Sequence, residues 1–85
     1  QNFGLAIYPN PMDDESVIEF ELPNTEQVYL QVVDLLGQQV LSLVNGSTAV
    51  GSHRVTIPAH ELAAGVYFVN LKVAGQEVTR KIIVR

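Results

Sequence analysis

Two histidines, His53 and His60, stand seven positions apart, one at a strand end and one in a loop. Zinc sites draw on His and Cys at short fixed spacings, and the chain has no cysteine to complete such a set. Both histidines therefore read as solvated side chains. Asp13-Asp14-Glu15 is the acidic cluster. The EF-hand loop needs alternating oxygen ligands and a central glycine, and this run offers neither. It reads as a solvated turn behind Pro9-Asn10-Pro11, the other use being a calcium loop of the kind a β-sandwich can carry. Ser16, Ser42, Ser47 and Ser52 lack the Gly-x-Ser-x-Gly setting of a nucleophile elbow. Asn45-Gly46-Ser47 fits a glycosylation sequon, yet Asn-Gly between two strands is a strong hairpin signal, and the turn is the reading adopted. What remains is the closing segment Gly75–Arg85, apolar and basic together, with Lys81, Ile83 and Arg85 on one alternation set. The chain does not read as an enzyme, and no metal or other cofactor is expected.

The elements that must position these residues are bounded by length and composition. Eighty-five residues make one domain, near the small end of what folds without help. Without cysteine, stability has to come from apolar burial, and 47% of the residues are apolar. A net charge of −4, with no cluster of basic and aromatic residues, speaks against nucleic acid. No apolar run approaches the ~20 residues of a membrane helix, so no membrane span is expected, and no cleavable leader is visible. The chain reads as a piece of a longer exported protein, with a cytosolic protein as the alternative.

Short apolar stretches recur every eight to twelve residues with turn residues between them, the spacing of an all-β sandwich or barrel. Strands are expected near Leu5–Tyr8, Val17–Leu22, Val28–Asp34, Gln38–Val44, Ser52–Ile57, Val66–Val73 and Glu77–Val84. Ile18, Phe20 and Leu22 alternate with Val17, Glu19 and Glu21, and Val28, Leu30 and Val32 alternate with Tyr29, Gln31 and Val33. One buried and one wet face is the habit of antiparallel sheets. In the last strand Val78, Arg80, Ile82 and Val84 should face inward, leaving Thr79, Lys81, Ile83 and Arg85 outward. His60–Ala64 is the one candidate helical turn. In "LAAGVYFVNL", Leu62, Gly65 and Tyr67 resemble a tyrosine corner, with Tyr67 largely buried and its hydroxyl bonded to backbone near His60–Ala63. The other reading of Tyr67 is a plain core aromatic.

Several pieces then line up in order. "YPNP" at Tyr8–Pro11 follows a short strand, and "VYLQVVDLLGQQVLSL" at Val28–Leu43 reads as strand, Asp, two residues, Gly, strand. Gly51 precedes "HRVTI", then come "LAAGVYFVNL" and "TRKIIVR". The set resembles the type A C-terminal sorting domain of the Bacteroidota type IX (Por) secretion system, over Leu5–Arg85. Met12 and Pro58 depart from residues common in that family.

The resemblance implies a seven-stranded antiparallel immunoglobulin-like β-sandwich with Greek-key connections, fused behind an N-terminal cargo domain, residues 1–4 being linker. It implies an address label that passes through the periplasm and is recognised by the type IX translocon, with the cargo carried across the outer membrane. A cell-surface sortase-like peptidase then usually removes the label, and the cargo is released or attached to the surface. The positions matching the family pattern take structural roles. Pro9 and Pro11 stiffen the exit around Asn10, Asp34 and Gly37 build the turn between the third and fourth strands, Gly51 and Gly65 serve bends, and Tyr67 the corner. Lys81, Arg85 and Ile83 are needed by no turn. They stand as recognition residues or as the outer side of a soluble edge strand. A reading from another class is an immunoglobulin-like spacer or carbohydrate-binding module of a secreted hydrolase. Its mark would be aromatics grouped on one sheet face, where only Tyr29 and Phe68 point outward.

Overall fold

Alternation of apolar side chains sorts the chain into strands with one face to bury, and two such sheets bury each other. The computed structural model describes residues 2–85; Gln1, the first position of the expected linker, lies outside the described residues. The strands are β1 (Ala6–Tyr8), β2 (Glu15–Leu22), β3 (Glu26–Val33), β4 (Gln39–Thr48), β5 (Gly51–Pro58), β6 (Gly65–Val73) and β7 (Gln76–Val84). They form two antiparallel sheets, ordered β1-β2-β5 and β4-β3-β6-β7. The connections β2–β3, β4–β5 and β5–β6 each cross between the sheets, giving the Greek-key path of an immunoglobulin-like sandwich.

The inward sets meet as the alternation requires. Ile18, Phe20 and Leu22 of β2 and Ile57 of β5 face Val28, Leu30 and Val32 of β3, Val69, Leu71 and Val73 of β6, and Val78, Ile82 and Val84 of β7. Phe3 and Leu5 join this core, so packing begins inside the stretch expected to be linker. The Phe3 carbonyl accepts the Glu21 N–H at 2.7 Å.

One expected turn is absent. Asn45 and Gly46 do not close a hairpin; they lie inside β4, opposite Tyr29 and Val28 of β3. Local turn propensity yields here to the ladder, because each further β4 residue satisfies backbone groups against β3. A hairpin was not open to β4 and β5 in any case, since they belong to different sheets. The reversal comes after Thr48 instead, where the Val50 N–H donates to the Thr25 hydroxyl at 3.2 Å. Register shifts on β4 fall between the partners of Leu30 and Gln31 and of Val32 and Val33, bulging the strand at Leu43 and Val40.

The expected helical turn is a single 3-10 turn, Ala59–Glu61, leading into the corner. The Tyr67 hydroxyl donates to the Ala63 carbonyl at 2.7 Å. The ring is half-buried rather than largely buried, because its partner Ala63 sits at the exposed crossover, while Leu62 is buried in the core.

The sandwich measures 35 × 23 × 19 Å, and its two ends differ. Phe3, the β2–β3 and β4–β5 connections and the Ala74-Gly75 turn lie at one end. The β3–β4 turn, the 3-10 turn, the start of β6 and the last residues of β7 lie at the other.

Candidate functional site

β7 is the edge of the four-stranded sheet, and an edge strand presents unpaired N–H and C=O groups. Here the segment leaving β1 runs along that edge. The Asn10 side-chain amide acts as a short piece of strand: its Nδ2 donates to the Lys81 carbonyl at 3.0 Å, and its Oδ1 accepts the Ile83 N–H at 3.1 Å. Two residues later the backbone takes over. The Met12 N–H donates to the Ile83 carbonyl at 2.9 Å, and the Arg85 N–H donates to the Met12 carbonyl at 3.1 Å. Met12 makes a parallel bridge to Val84 and is 0% exposed.

Pro9 and Pro11, each without an N–H, frame Asn10 so that its side chain rather than a neighbouring amide meets β7. Both the Tyr8–Pro9 and Asn10–Pro11 peptide bonds are cis. The buried Ser16 hydroxyl donates to the Pro9 carbonyl and ties the segment to β2. Pro9, Asn10 and Pro11, read from the sequence as a stiff exit from the first strand, thus also fasten the last one.

With its backbone held, β7 displays one set of side chains. Val78, Ile82 and Val84 are buried, while Lys81, Ile83 and Arg85 are exposed. Arg80 belongs to the inward set by alternation but turns out to solvent, its Nη1 donating to the Thr79 carbonyl at 3.1 Å. Lys81 and Arg85 lie four residues apart on one face, about 13 Å along the strand, with Ile83 midway. Arg85 Nη1 sits 3.7 Å from Asp13 Oδ2, and both side chains are largely exposed. Such a pair contributes little to stability.

The outer face continues across β6 and β3. Ile83 lies beside Val66, and Lys81 beside Phe68, which in turn neighbours Val33. One step further along the strands, Asn70 is 5% exposed although it faces outward. Its amide is enclosed by partners: it accepts from Gln31 Nε2 at 3.1 Å and donates to Glu77 Oε2 at 2.8 Å and to Thr79 Oγ1 at 3.0 Å. These bonds cross-link β3, β6 and β7 on the solvent side, in addition to the backbone ladder.

At the end of β3 the chain turns through Asp34–Gln38. Asp34 Oδ1 accepts the N–H groups of both Leu36 and Gln38 at 2.9 Å. The Asp34 N–H donates to the Gln38 carbonyl at 2.9 Å, and the Gly37 N–H to the Asp34 carbonyl at 3.0 Å. Gly37 has a φ of 82°, a conformation that costs any side-chain-bearing residue. Of the remaining positions singled out in the sequence, Gly65 opens β6 opposite Val84, and Gly51 opens β5 opposite Leu22 at the far end.

The structure therefore gathers Pro9, Asn10, Pro11, Lys81, Ile83 and Arg85 into one patch. Asp34, Gly37, Gly65 and Tyr67 lie at the same end of the sandwich, and Gly51 stands apart. The pairing of Asn10 with β7 was beyond sequence reasoning, as was the enclosure of Asn70. The Pro-Asn-Pro spacing was the one available signal, because two prolines flanking an amide leave that amide free to bond elsewhere.

The other polar groups are dispersed. His53 stacks on Phe20 with ring centroids 5.3 Å apart, and its Nε2 lies 2.7 Å from the Ala49 carbonyl. His60 is exposed in the 3-10 turn. Among the described residues no group of three His, Cys, Asp or Glu is placed to hold a metal ion. On the opposite sheet the Tyr8 phenol is pushed above its ordinary range, first by its hydrogen bond with the Glu19 carboxylate. Arg54 Nη2, 3.3 Å from the Tyr8 hydroxyl, acts in the opposite sense. A groove of about 280 Å³ runs beside the β4 bulge, lined by Tyr29, Gln31, Gln39, Ser42, Asn45 and Lys72. Tyr29 is exposed there, while Phe68 on the same face is half-buried.

A family model described as "Secretion system C-terminal sorting domain" matches residues 6–85. No curated protein sequence matches the chain. Among solved structures, it is similar to PorZ, described as an essential bacterial surface component of the type-IX secretion system of Porphyromonas gingivalis. The TM-score is 0.69 at 19% identity, covering 96% of this chain and 11% of that one. It is also similar to domains 4 and 5 of the S-layer protein SbsC, with a TM-score of 0.62 at 14% identity, covering 94% of this chain and 50% of that one. At these identities the two structures bear on the fold, and the chain spans a tenth to a half of their length.

Proposed function

Since the chain belongs to the family of secretion-system C-terminal sorting domains, the C-terminal secretion signals of type IX secretion, we propose how it carries that signal. Lys81, Ile83 and Arg85, presented on a β7 whose backbone is fastened by Asn10 and Met12, are the surface that the type IX translocon reads. The fused cargo leaves from the opposite end, beyond Phe3. It passes through the periplasm and across the outer membrane to the surface, where a sortase-like peptidase removes the domain.

The observation that carries this reading is the Asn10 clamp. With Met12 it pairs the edge groups of β7 from the Lys81 carbonyl to the Arg85 N–H from within the chain, so this stretch offers side chains rather than an open ladder. A soluble edge needs charge alone, whereas here an exposed isoleucine stands between the two cations. The test is Lys81→Glu with Arg85→Glu, fused behind a reporter in a type IX-competent host. Its melting should stay close to wild type, because exposed charges contribute little to stability. The reporter should nonetheless remain in the periplasm. Wild-type surface display of this folded variant removes β7 as the address.

A further inference from the structure

Exposed apolar side chains on a monomer are ordinary when scattered and informative when they are contiguous and rigidly held. Leu35 and Leu36 at the β3–β4 turn are 68% and 84% exposed. Their backbone is held by the two N–H groups that Asp34 Oδ1 accepts and by the two backbone bonds that close the turn. A turn with that frame needs no leucine to close it, so the frame presents the leucines.

The register places them beside the β7 patch. β3 runs antiparallel to β6 with Val33 opposite Phe68, so the chain beyond Val33 extends toward the row that holds Val66 and Ile83. From β3 to β7 is two strand spacings, about 10 Å. The outward positions Val33, Phe68, Val66 and Ile83 thus form an apolar band between the turn that carries Leu35 and Leu36 and the cations Lys81 and Arg85.

We propose that the Leu35–Leu36 tip and the β7 patch form one docking surface for a protein partner of a different kind. That partner presents an apolar socket for the two leucines and carboxylates opposite Lys81 and Arg85. The inference rests on the reading of β7 given above and adds the tip to it. Charge selects the occupant. The chain carries a net charge of −4, yet three of its five Lys and Arg residues fall within residues 80–85, so a complementary surface is acidic. A two-fold contact with a second copy would bring this same basic patch against itself. A lipid surface is a poorer fit still. Only the two leucines stand clear of the sheet to insert, with less apolar chain than a single myristoyl group, which binds membranes only marginally. Val33, Val66 and Phe68 are half-buried, and one of the two cations is already beside Asp13. The band also lies at the end of the sandwich away from Phe3, where a fused cargo would not cover it.

The experiment compares Leu35→Ser with Leu36→Ser, as a double variant, against Lys81→Glu with Arg85→Glu, both behind the same reporter in a type IX-competent host. The serine variant should melt within a few degrees of wild type, because the turn is held by Asp34 and the backbone. Its surface display should fall at least tenfold, and Leu35→Met with Leu36→Met, which keeps the tip apolar, should restore most of it. If the double serine variant melts well below wild type, Leu36→Ser alone, at the more exposed position, decides by the same readout. Full display of a folded serine variant while the charge-reversed one stays in the periplasm overturns the role of the tip and leaves the β7 reading standing. Full display of both overturns both. Two further results also overturn it: self-association of the chain, in sedimentation at 100 μM, that the serine variant abolishes, or flotation with phosphatidylglycerol vesicles that it abolishes. Those results would make a second copy or a membrane the occupant.

Discussion

Asn10→Ala is the sharpest test of the clamp, because it removes two hydrogen bonds and almost no buried apolar surface. The Lys81 carbonyl and the Ile83 N–H lose their partners at 3.0 and 3.1 Å, while the Met12 backbone bonds remain possible. A neutral hydrogen bond contributes about 0.5–1.5 kcal/mol net. Both bonds lie within reach of water, which can replace part of each, so the loss should be about 1–2 kcal/mol. For a domain of this size that lowers the melting midpoint by roughly 4–16 °C. The readouts are urea unfolding by circular dichroism and hydrogen exchange at the Ile83 amide, which should lose protection before the β3 and β6 amides do. Asn10→Asp sharpens the assay. Its carboxylate keeps an acceptor for Ile83 but turns a second oxygen toward the Lys81 carbonyl, so near pH 7 it should be no better than alanine. Protonation below about pH 4 restores a donor, and the gap to wild type should narrow on acidification. An Asn10→Ala loss under a few tenths of a kcal/mol, with Ile83 exchange unchanged, would refute the clamp as a structural element.

Three further outcomes follow from the same geometry. Tyr67→Phe removes the bond to the Ala63 carbonyl, which water reaches at the exposed crossover, and should cost about 1 kcal/mol in urea melts; no measurable loss would remove the corner as a source of stability. Asp34→Ala removes the charged acceptor of two N–H groups and should cost about 1–3 kcal/mol, whereas Asp34→Asn should recover part of it by keeping one side-chain oxygen. Val84→Asp buries an unpaired charge in the core and should leave the domain unfolded at 25 °C by circular dichroism; a cooperative melt near wild type would mean that β7 is not seated as described.

Strand existence and facing were legible wherever one face is buried and one is wet. Val28, Leu30 and Val32, or Val78, Ile82 and Val84, announce a core side by period alone, and the structure buries all six. Asn45-Gly46 misled because its turn propensity is local, whereas its pairing with Tyr29 and Val28 depends on a partner strand that the dipeptide does not encode. The two-way bond of Asn10 spans 71 and 73 positions, and no periodicity reports a contact at that separation. Asn70 looked like an ordinary outward residue. Its burial comes from Gln31, Glu77 and Thr79, which reach it from neighbouring strands. Leu35 and Leu36 showed as apolar letters beside a turn glycine, and only their exposure in the folded turn reveals that they are left in solvent.

The clamp also imposes an order in time. A ribosome completes Asn10 and Met12 long before Ile83 and Arg85, so for most of synthesis the two arms of this contact cannot meet. The closure between Met12 and Val84 spans nearly the whole domain, and contacts of such separation form only after their loop-closure entropy has been met. Any chain broken or halted before Lys81 lacks the end of the strand and both partners of Asn10. The finished edge therefore exists only on a molecule translated through its last strand and folded end to end. If β7 is the surface read in secretion, as proposed, a chain cut before Lys81 loses that surface together with the contact that holds it.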